Sequence, residues 1–251
     1  MPCSRQDLRV YLDALMLPEN YQDYCPNGLQ IEGKAQIHRL VTGVTACQSL
    51  IDAAVQARAD AILVHHGFFW RSEDPVVVGI KARRLRALMV NDINLFAYHL
   101  PLDCHPELGN NAQLGRLMGV SHATPLPASD PSIPVFYGEL KQAIPISSFV
   151  AKLSSLLGRE LLLVGDGVVK KIAWCTGAGQ GYIDQAADAG ADLYVTGEVS
   201  EQTVHIARER GICFIAAGHH ATERFGVQAV GMQVARELGC AHQFIDIENP
   251  A

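Results

Sequence analysis

The sequence predicts an α/β fold of two similar lobes with mostly parallel sheets, related by an internal duplication, with a metal site between them. Three observations predict it. Short apolar runs alternate with segments of helical spacing, the pattern of βαβ units and parallel strands. That order occurs twice along the chain, with matched residues at a constant offset. Three strand-like runs end in histidine, and two of those endings place an acid four residues after a histidine.

In the first copy, residues 39–44, 61–64 and 93–98 read as strands, and residues 49–58 and 81–91 as the helices between them. In the second copy the strands are 171–175, 192–196 and 212–217, and the helices are 181–189 and 201–210. Aligned without gaps, Ile51-Asp52 falls on Ile183-Asp184 and Ala59-Asp60 on Ala191-Asp192. A second offset brings His99 onto His219 and Asp103 onto Glu223. Residues 122–133 are rich in Pro, Ser and Asp and read as a linker. The expected lobes are therefore 1–125 and 126–251. Residues 135–140 and 161–164 read as further strands of the second lobe, and residues 146–157 as an amphipathic helix. A tail helix over 225–238 precedes a final strand, 242–247, which can cross back to the first lobe.

Composition narrows the function classes. With 251 residues, 49% of them hydrophobic and 18% charged, the chain has ample material for a core. A net charge of −6 with no basic stripe argues against a broad nucleic-acid surface. The one dense basic stretch, Lys81 to Arg86, reads as a solvated helix face. The first residues carry Arg and Asp from position 5 on, so no secretion signal is expected. No apolar run approaches the ~18 residues a bilayer span needs, so no membrane partner is expected. Seven cysteines without CxxC spacing fit a reduced, cytoplasmic setting.

The chemistry sits at the strand ends, where open α/β sheets place their sites. Ala61-Ile-Leu-Val-His65-His66-Gly67 is an apolar strand ending in two imidazoles. In an extended strand the two rings point to opposite faces. Alternatively, Gly67 lets the chain turn so that they converge. His219 and Glu223 lie four apart, on one helical face if a helix follows Gly218. His65, His66, Asp103, His219 and Glu223 make a borderline ligand set. It suits Zn, Mn, Fe, Co or Ni and does not exclude Mg, and it is large enough for two divalent ions. His99 and His220 stand beside these ligands, to bond them or relay protons. Glu198 takes in the second copy the place His66 has in the first, and reads either as a general base or as a structural acid. Gly177-Ala-Gly-Gln-Gly181 reads as a tight turn between strand and helix. It lacks both the GxGxxG spacing and a P-loop lysine, although such a turn can touch a phosphate. No further cofactor-binding residue is indicated.

Four segments carry a family resemblance: Tyr24-Cys-Pro-Asn-Gly-Leu-Gln30, Leu63-Val-His-His-Gly67, Ala97-Tyr-His-Leu-Pro-Leu-Asp103 and Gly218-His-His-Ala-Thr-Glu223. The chain resembles the GTP cyclohydrolase I type 2 homologues, or Nif-three-like proteins, and among them the short bacterial YbgI type. The resemblance spans the whole chain. It implies two related α/β lobes, a toroidal homohexamer and a dinuclear metal site. The metal ligands it implies are His65, His66, Asp103, His219 and Glu223, with Glu223 bridging. It also implies that the segment from Tyr24 to Gln30 lines or supports the site. The family's name implies a metal-dependent hydrolase acting on a nucleotide-like substrate, with His99, His220 or Glu198 relaying protons. A non-catalytic metal-handling or regulatory scaffold is the competing expectation, because no nucleophile or complete phosphate cradle is evident.

Overall fold

In the computed structural model, which describes residues 3–126 and 135–251, an aspartate precedes the second strand of each copy and ties it to the first. Asp60 Oδ2 accepts the backbone N–H of His38 at 2.9 Å and of Arg39 at 3.1 Å. Asp192 Oδ2 accepts those of Lys170 at 2.9 Å and Lys171 at 2.8 Å. The strand registers repeat with them: Leu40 lies opposite Ala61, and Ile172 opposite Leu193. Each aspartate's carbonyl then receives the N–H that opens the third strand, from Asn94 and from Cys213, both at 3.0 Å. The duplication read from the sequence is thus present as a repeated hydrogen-bond device.

The described chain divides into two compact units, Met1–Gly109 with Gly226–Glu248, and Asn110–Phe225 with Asn249–Ala251. The first is built on a five-stranded sheet in the order Ala241–Phe244, Arg39–Thr45, Ala61–His66, Asn94–Ala97, Gly28–Ile31. The first four strands run parallel and the last antiparallel. Alternation along the strands sends residues to opposite faces. Val41, Ile62, Val64 and Leu95 meet Leu50, Ile51, Leu85 and Leu88 of the helices Gln48–Gln56 and Gly79–Val90. On the other face Leu40, Leu63 and Phe96 meet Leu8 and Leu12 of Arg5–Met16, and Val227, Val230 and Val234 of Arg224–Leu238. The helix Arg5–Met16 starts at a capping box between Ser4 and Asp7.

The second unit has a six-stranded sheet in the order Ser121–Pro125, Phe136–Pro145, Val168–Cys175, Leu193–Thr196, Cys213–Ala216, Leu162–Val164. Its three inner strands from Val168 on are parallel, and antiparallel strands flank them. In both units the third strand of the repeated copy is therefore followed in the sheet by an antiparallel one. Trp174 anchors one face. It is fully buried, donates its indole N–H to Asn111 O at 2.9 Å, and stacks 5.8 Å from Phe136.

One expectation is corrected here. Residues 122–125 are not linker: Ser121–Pro125 is an edge strand, with Ser121 opposite Glu139 and Thr124 opposite Tyr137. The rest of that stretch, from 127 on, lies outside the described residues. The compact units divide the chain at 109/110 and 225/226. The physical reason is that helix Asn110–Met118 puts Leu114 and Met118 into the Trp174 cluster. The last strand, Ala241–Phe244, lies parallel beside Arg39–Thr45 in the first unit. No disulfide joins any of the seven cysteines, and no helix among the described residues is long and apolar enough to cross a membrane.

Candidate metal centre

In the first unit the strand Ala61–His66 delivers both imidazoles to its tip, and the two rings converge, with centroids 4.3 Å apart. His65 is fully buried and its Nδ1 sits 3.1 Å from Tyr98 O, an acceptor only. That bond fixes the proton on Nδ1 and leaves the Nε2 lone pair facing Asp103, 3.5 Å away. His66 Nδ1 lies 3.1 Å from Thr45 Oγ1. Asp103 comes from the short helix Leu100–Cys104, which starts directly after His99. The ring of His99 lies 5.0 Å from that of His65, and ligand nitrogens of His65, His66 and His99 fall within 4.8 Å of one another.

The segment from Tyr24 to Gln30 supports this tip. Gln30 Oε1 accepts the N–H of Phe68 at 2.7 Å, and its amide packs where a side chain at Gly67 would have to go. Asn27 Oδ1 accepts the N–H of His99 at 2.7 Å. Asp23, which the sequence reading missed, accepts His99 Nδ1–H at 2.7 Å, Leu100 N–H at 2.9 Å and the Asn27 amide at 2.9 Å. Burial alone would raise its carboxyl; the bonds from His99, Asn27 and Leu100 outweigh that and hold it at about 2. Asp23 is separated from His99 by 76 residues, so no spacing signal pointed to it. Cys25 also stands near Asp23 and His99. Burial, with the charge of Asp23 added, pushes its thiol up to about 12, which keeps it protonated at neutral pH and a poor metal ligand.

Asp23 should make the protein sensitive to acid. A carboxyl held at about 2 when folded and about 3.9 when unfolded contributes on the order of 2 kcal/mol. That contribution is complete above the unfolded value and is lost as pH falls from about 4 to about 2. In Asp23→Asn an NH2 group cannot replace Oδ2 as acceptor for Leu100 and Asn27 together. The variant is expected to lose about 1–3 kcal/mol at pH 7 and to show a flatter stability curve between pH 4 and 2. Denaturant titrations across that range would check it; parallel curves would refute it.

In the second unit Gly218 (φ +94) turns the chain into the short helix His219–Thr222, and Glu223 closes it. His219 Nε2 lies 3.1 Å from Glu223 Oε2, and its Nδ1 2.7 Å from Glu198 Oε1. Glu198 therefore grips the outer nitrogen of His219 and fixes its orientation. Burial alone would lower the His219 pKa, but Glu223 and Glu198 outweigh it and raise it to about 9. His220 is buried next to them. The turn at Gly177 (φ +64) is explained by the same carboxylate: a Cβ there would collide with Glu223 Oε1. The N–H of Gly177 donates to Thr222 Oγ1 and that of Gly179 to Thr196 Oγ1, both at 3.0 Å, so this part of the turn packs the site.

The donor set fits divalent metal. His65 and His219 each have Nδ1 held by an oxygen partner and Nε2 turned toward a carboxylate. Ligands about 2.0–2.1 Å from one tetrahedral ion are about 3.3 Å apart. The observed 3.5 Å and 3.1 Å separations straddle that spacing. The pair of carboxylates around His219 favours positive charge, which a divalent cation supplies.

The pattern of the DUF34/NIF3 (NGG1p interacting factor 3) family matches residues 3–250. A Pseudomonas aeruginosa protein named GTP cyclohydrolase 1 type 2 homolog is 57% identical over 242 residues, covering 96% of this chain and 94% of its own. A protein of the same name from Escherichia coli K12 is 52% identical, covering 91% and 92%. Among solved structures, protein ybgI, described as of unknown function, superimposes with a TM-score of 0.93 at 48% identity, over 99% of this chain and 100% of its own. A Thermus thermophilus protein gives 0.91 at 33% identity, with the same coverage. The whole-length match and the strand-tip histidines agree, and the chain belongs to the DUF34/NIF3 family.

Proposed function

We propose that His65, His66, Asp103, His219 and Glu223 together hold two divalent metal ions, with Glu223 bridging, and that the protein is a metal-dependent hydrolase of a nucleotide-like substrate. The observation that carries the reading is the shared orientation of His65 and His219, with Nδ1 anchored and Nε2 facing a carboxylate. When bound, the metals supply Lewis acidity: they acidify water and polarise the centre under attack. The chain's own residues do the rest. Asp23 keeps the proton of His99 on Nδ1, so Nε2 is available to take a proton beside His65 and His66. Glu198 holds His219 in its ligating tautomer. His220 is assigned to proton relay from its place beside His219. The relatives' name points to a purine nucleotide as the first substrate to try.

The test is turnover of a nucleotide panel by metal-loaded protein. His65→Ala is expected to abolish turnover, because it removes a ligand whose second nitrogen is already fixed by Tyr98. Full activity in that variant would end the hydrolase reading. One observation favours the alternative, a non-catalytic metal-handling or regulatory scaffold: the N–H groups of Gly177 and Gly179 are already bonded, to Thr222 Oγ1 and Thr196 Oγ1. Metal uptake and release without turnover of any nucleotide would select it. A toroidal homohexamer and a cytoplasmic setting complete the proposal. Supporting assembly, Val76, Val77, Val78 and Ile80 form an exposed apolar stretch of the kind interfaces cover. A monomer mass by light scattering at micromolar concentration would count against the ring.

A further inference from the structure

Phe69 is bent to φ +66, a left-handed backbone that a bulky residue rarely adopts. Glu73 holds the bend. Its Oε2 accepts the N–H of Phe69 at 2.8 Å and of Trp70 at 3.2 Å, and its own N–H donates to Trp70 O at 2.8 Å. The Glu73 charge is answered by Lys81, 3.4 Å away. From this bend the Trp70 indole meets the histidine tip of the first unit. Its centroid lies 5.0 Å from the His99 ring, at 84°, and 6.0 Å from the His66 ring. A second ring is tied to the same loop. Arg71 N–H donates to Tyr24 O at 2.7 Å, and Arg71 Nη2 to Asp23 O at 3.0 Å. Tyr24 then packs 6.3 Å from His99, ring to ring. Tyr24 is 49% exposed and Trp70 is half-buried.

We propose that Trp70 and Tyr24 form an aromatic platform that stacks a flat heterocyclic ring of the substrate beside His66 and His99, and so selects for that ring. A perpendicular contact with His99 covers at most one face of the indole. The faces of both rings carry negative potential, so they disfavour an anionic group and accept a flat, electron-poor one. Stacking on such faces is how proteins hold bases without reading their edges. The position decides between a small ligand and a remote partner: both rings pack on an imidazole that itself lies 5.0 Å from His65 and 5.7 Å from His66. A bound ring would therefore lie against the residues assigned to chemistry. The choice of a base as that ring rests on the nucleotide-like reading above. Stacking itself does not need turnover.

The chain has two tryptophans, and the other one, Trp174, is fully buried in the second unit, so indole fluorescence of metal-loaded protein reads the platform. Guanosine, a base without phosphate, is expected to quench it saturably, and the quench to vanish in Trp70→Phe. Equilibrium dialysis gives the affinities. Trp70→Ala should weaken guanosine binding roughly 5–100-fold, Trp70→Phe less, and Tyr24→Ala by a smaller factor than Trp70→Ala. Affinity for ribose 5-phosphate, which has no flat ring, should fall far less than that for guanosine. Tyr24 is exposed and its bond to Arg71 is made by its backbone, so Tyr24→Ala keeps the test open if Trp70→Ala does not fold. Four results would each overturn the platform: no guanosine binding, binding without a quench, equal affinities across the variants, or equal losses for guanosine and ribose 5-phosphate. A changed oligomeric mass in Tyr24→Ala would also overturn it, by making the rings an interface between copies. If no nucleotide is turned over while the ring-selective losses stand, the hydrolase reading fails and the platform survives. If turnover persists with an unchanged KM in both alanine variants, the platform fails and the hydrolase reading survives.

Discussion

Glu223→Gln is expected to strip metal from both positions of the centre, whereas His66→Ala should leave about one ion per chain. The difference follows from the donor atoms. A carboxylate has two oxygens and a charge to set against two dications, while an amide has one good acceptor oxygen and no charge. An imidazole nitrogen serves one ion. The surroundings of Glu223 sharpen the expectation. It is 3% exposed, its carboxylate fills the space that Gly177 leaves open, and it faces His219 Nε2 at 3.1 Å. An amide turned the wrong way would set an NH2 against that imidazole. Glu198→Gln keeps every ligand and loosens only the grip on His219 Nδ1, so it should weaken affinity about 10–100-fold without abolishing binding. Metal analysis after dialysis against a mild chelator distinguishes these cases. Two tightly held ions in Glu223→Gln would refute bridging, and unmodified protein that never exceeds one ion per chain would refute the dinuclear centre.

Trp174→Ala should be the most destabilising single change in the second unit, at about 3–5 kcal/mol. The indole is fully buried between Phe136 and the helix Asn110–Met118, and its N–H pairs with Asn111 O. Truncation opens a cavity and removes the indole hydrogen bond. Gly115 shows how closely the helix approaches, since a Cβ there would stand 2.6 Å from the indole ring. Nothing small can fill the gap from that side without moving the helix. Trp174→Phe retains most of the volume and loses the hydrogen bond, so it should cost much less. Denaturant unfolding followed by circular dichroism checks both; a loss under 1 kcal/mol for Trp174→Ala would contradict the packing account.

The repeated strands and their histidine tips were legible because period and composition there are local. Residues 61–66 carry their whole message in one apolar run with a polar end, and the structure places a strand there. The edge strand Ser121–Pro125 was illegible for the opposite reason: its residues are half-buried or exposed, and His122 is bent to φ +54, so it looks like linker. The helix Arg5–Met16 went unread, although Ser4, Asp7 and the spacing of Leu8, Leu12 and Met16 signal it. Asp23 had no such signal, because its role exists only once Asn27, His99 and Leu100 are folded around it. The first compact unit takes in residues 226–248 because they pack against strands nearly two hundred positions earlier.

The paired aspartates carry one more consequence. Asp60 and Asp192 perform the same strand-tying task, so each copy keeps its scaffold whatever happens at the strand tip beyond. At that tip the first copy has His65-His66 and the second has Gly197-Glu198. Gly197 has been drawn so close to its neighbours that a Cβ would stand 2.6 Å from Gly177 O and 2.7 Å from His219 Cα. One strand tip thus donates nitrogen atoms and the other does not. The second tip is a brace, in which Glu198 steadies a histidine contributed by a later segment of the same half. Symmetry in the framework paid for asymmetry in the chemistry.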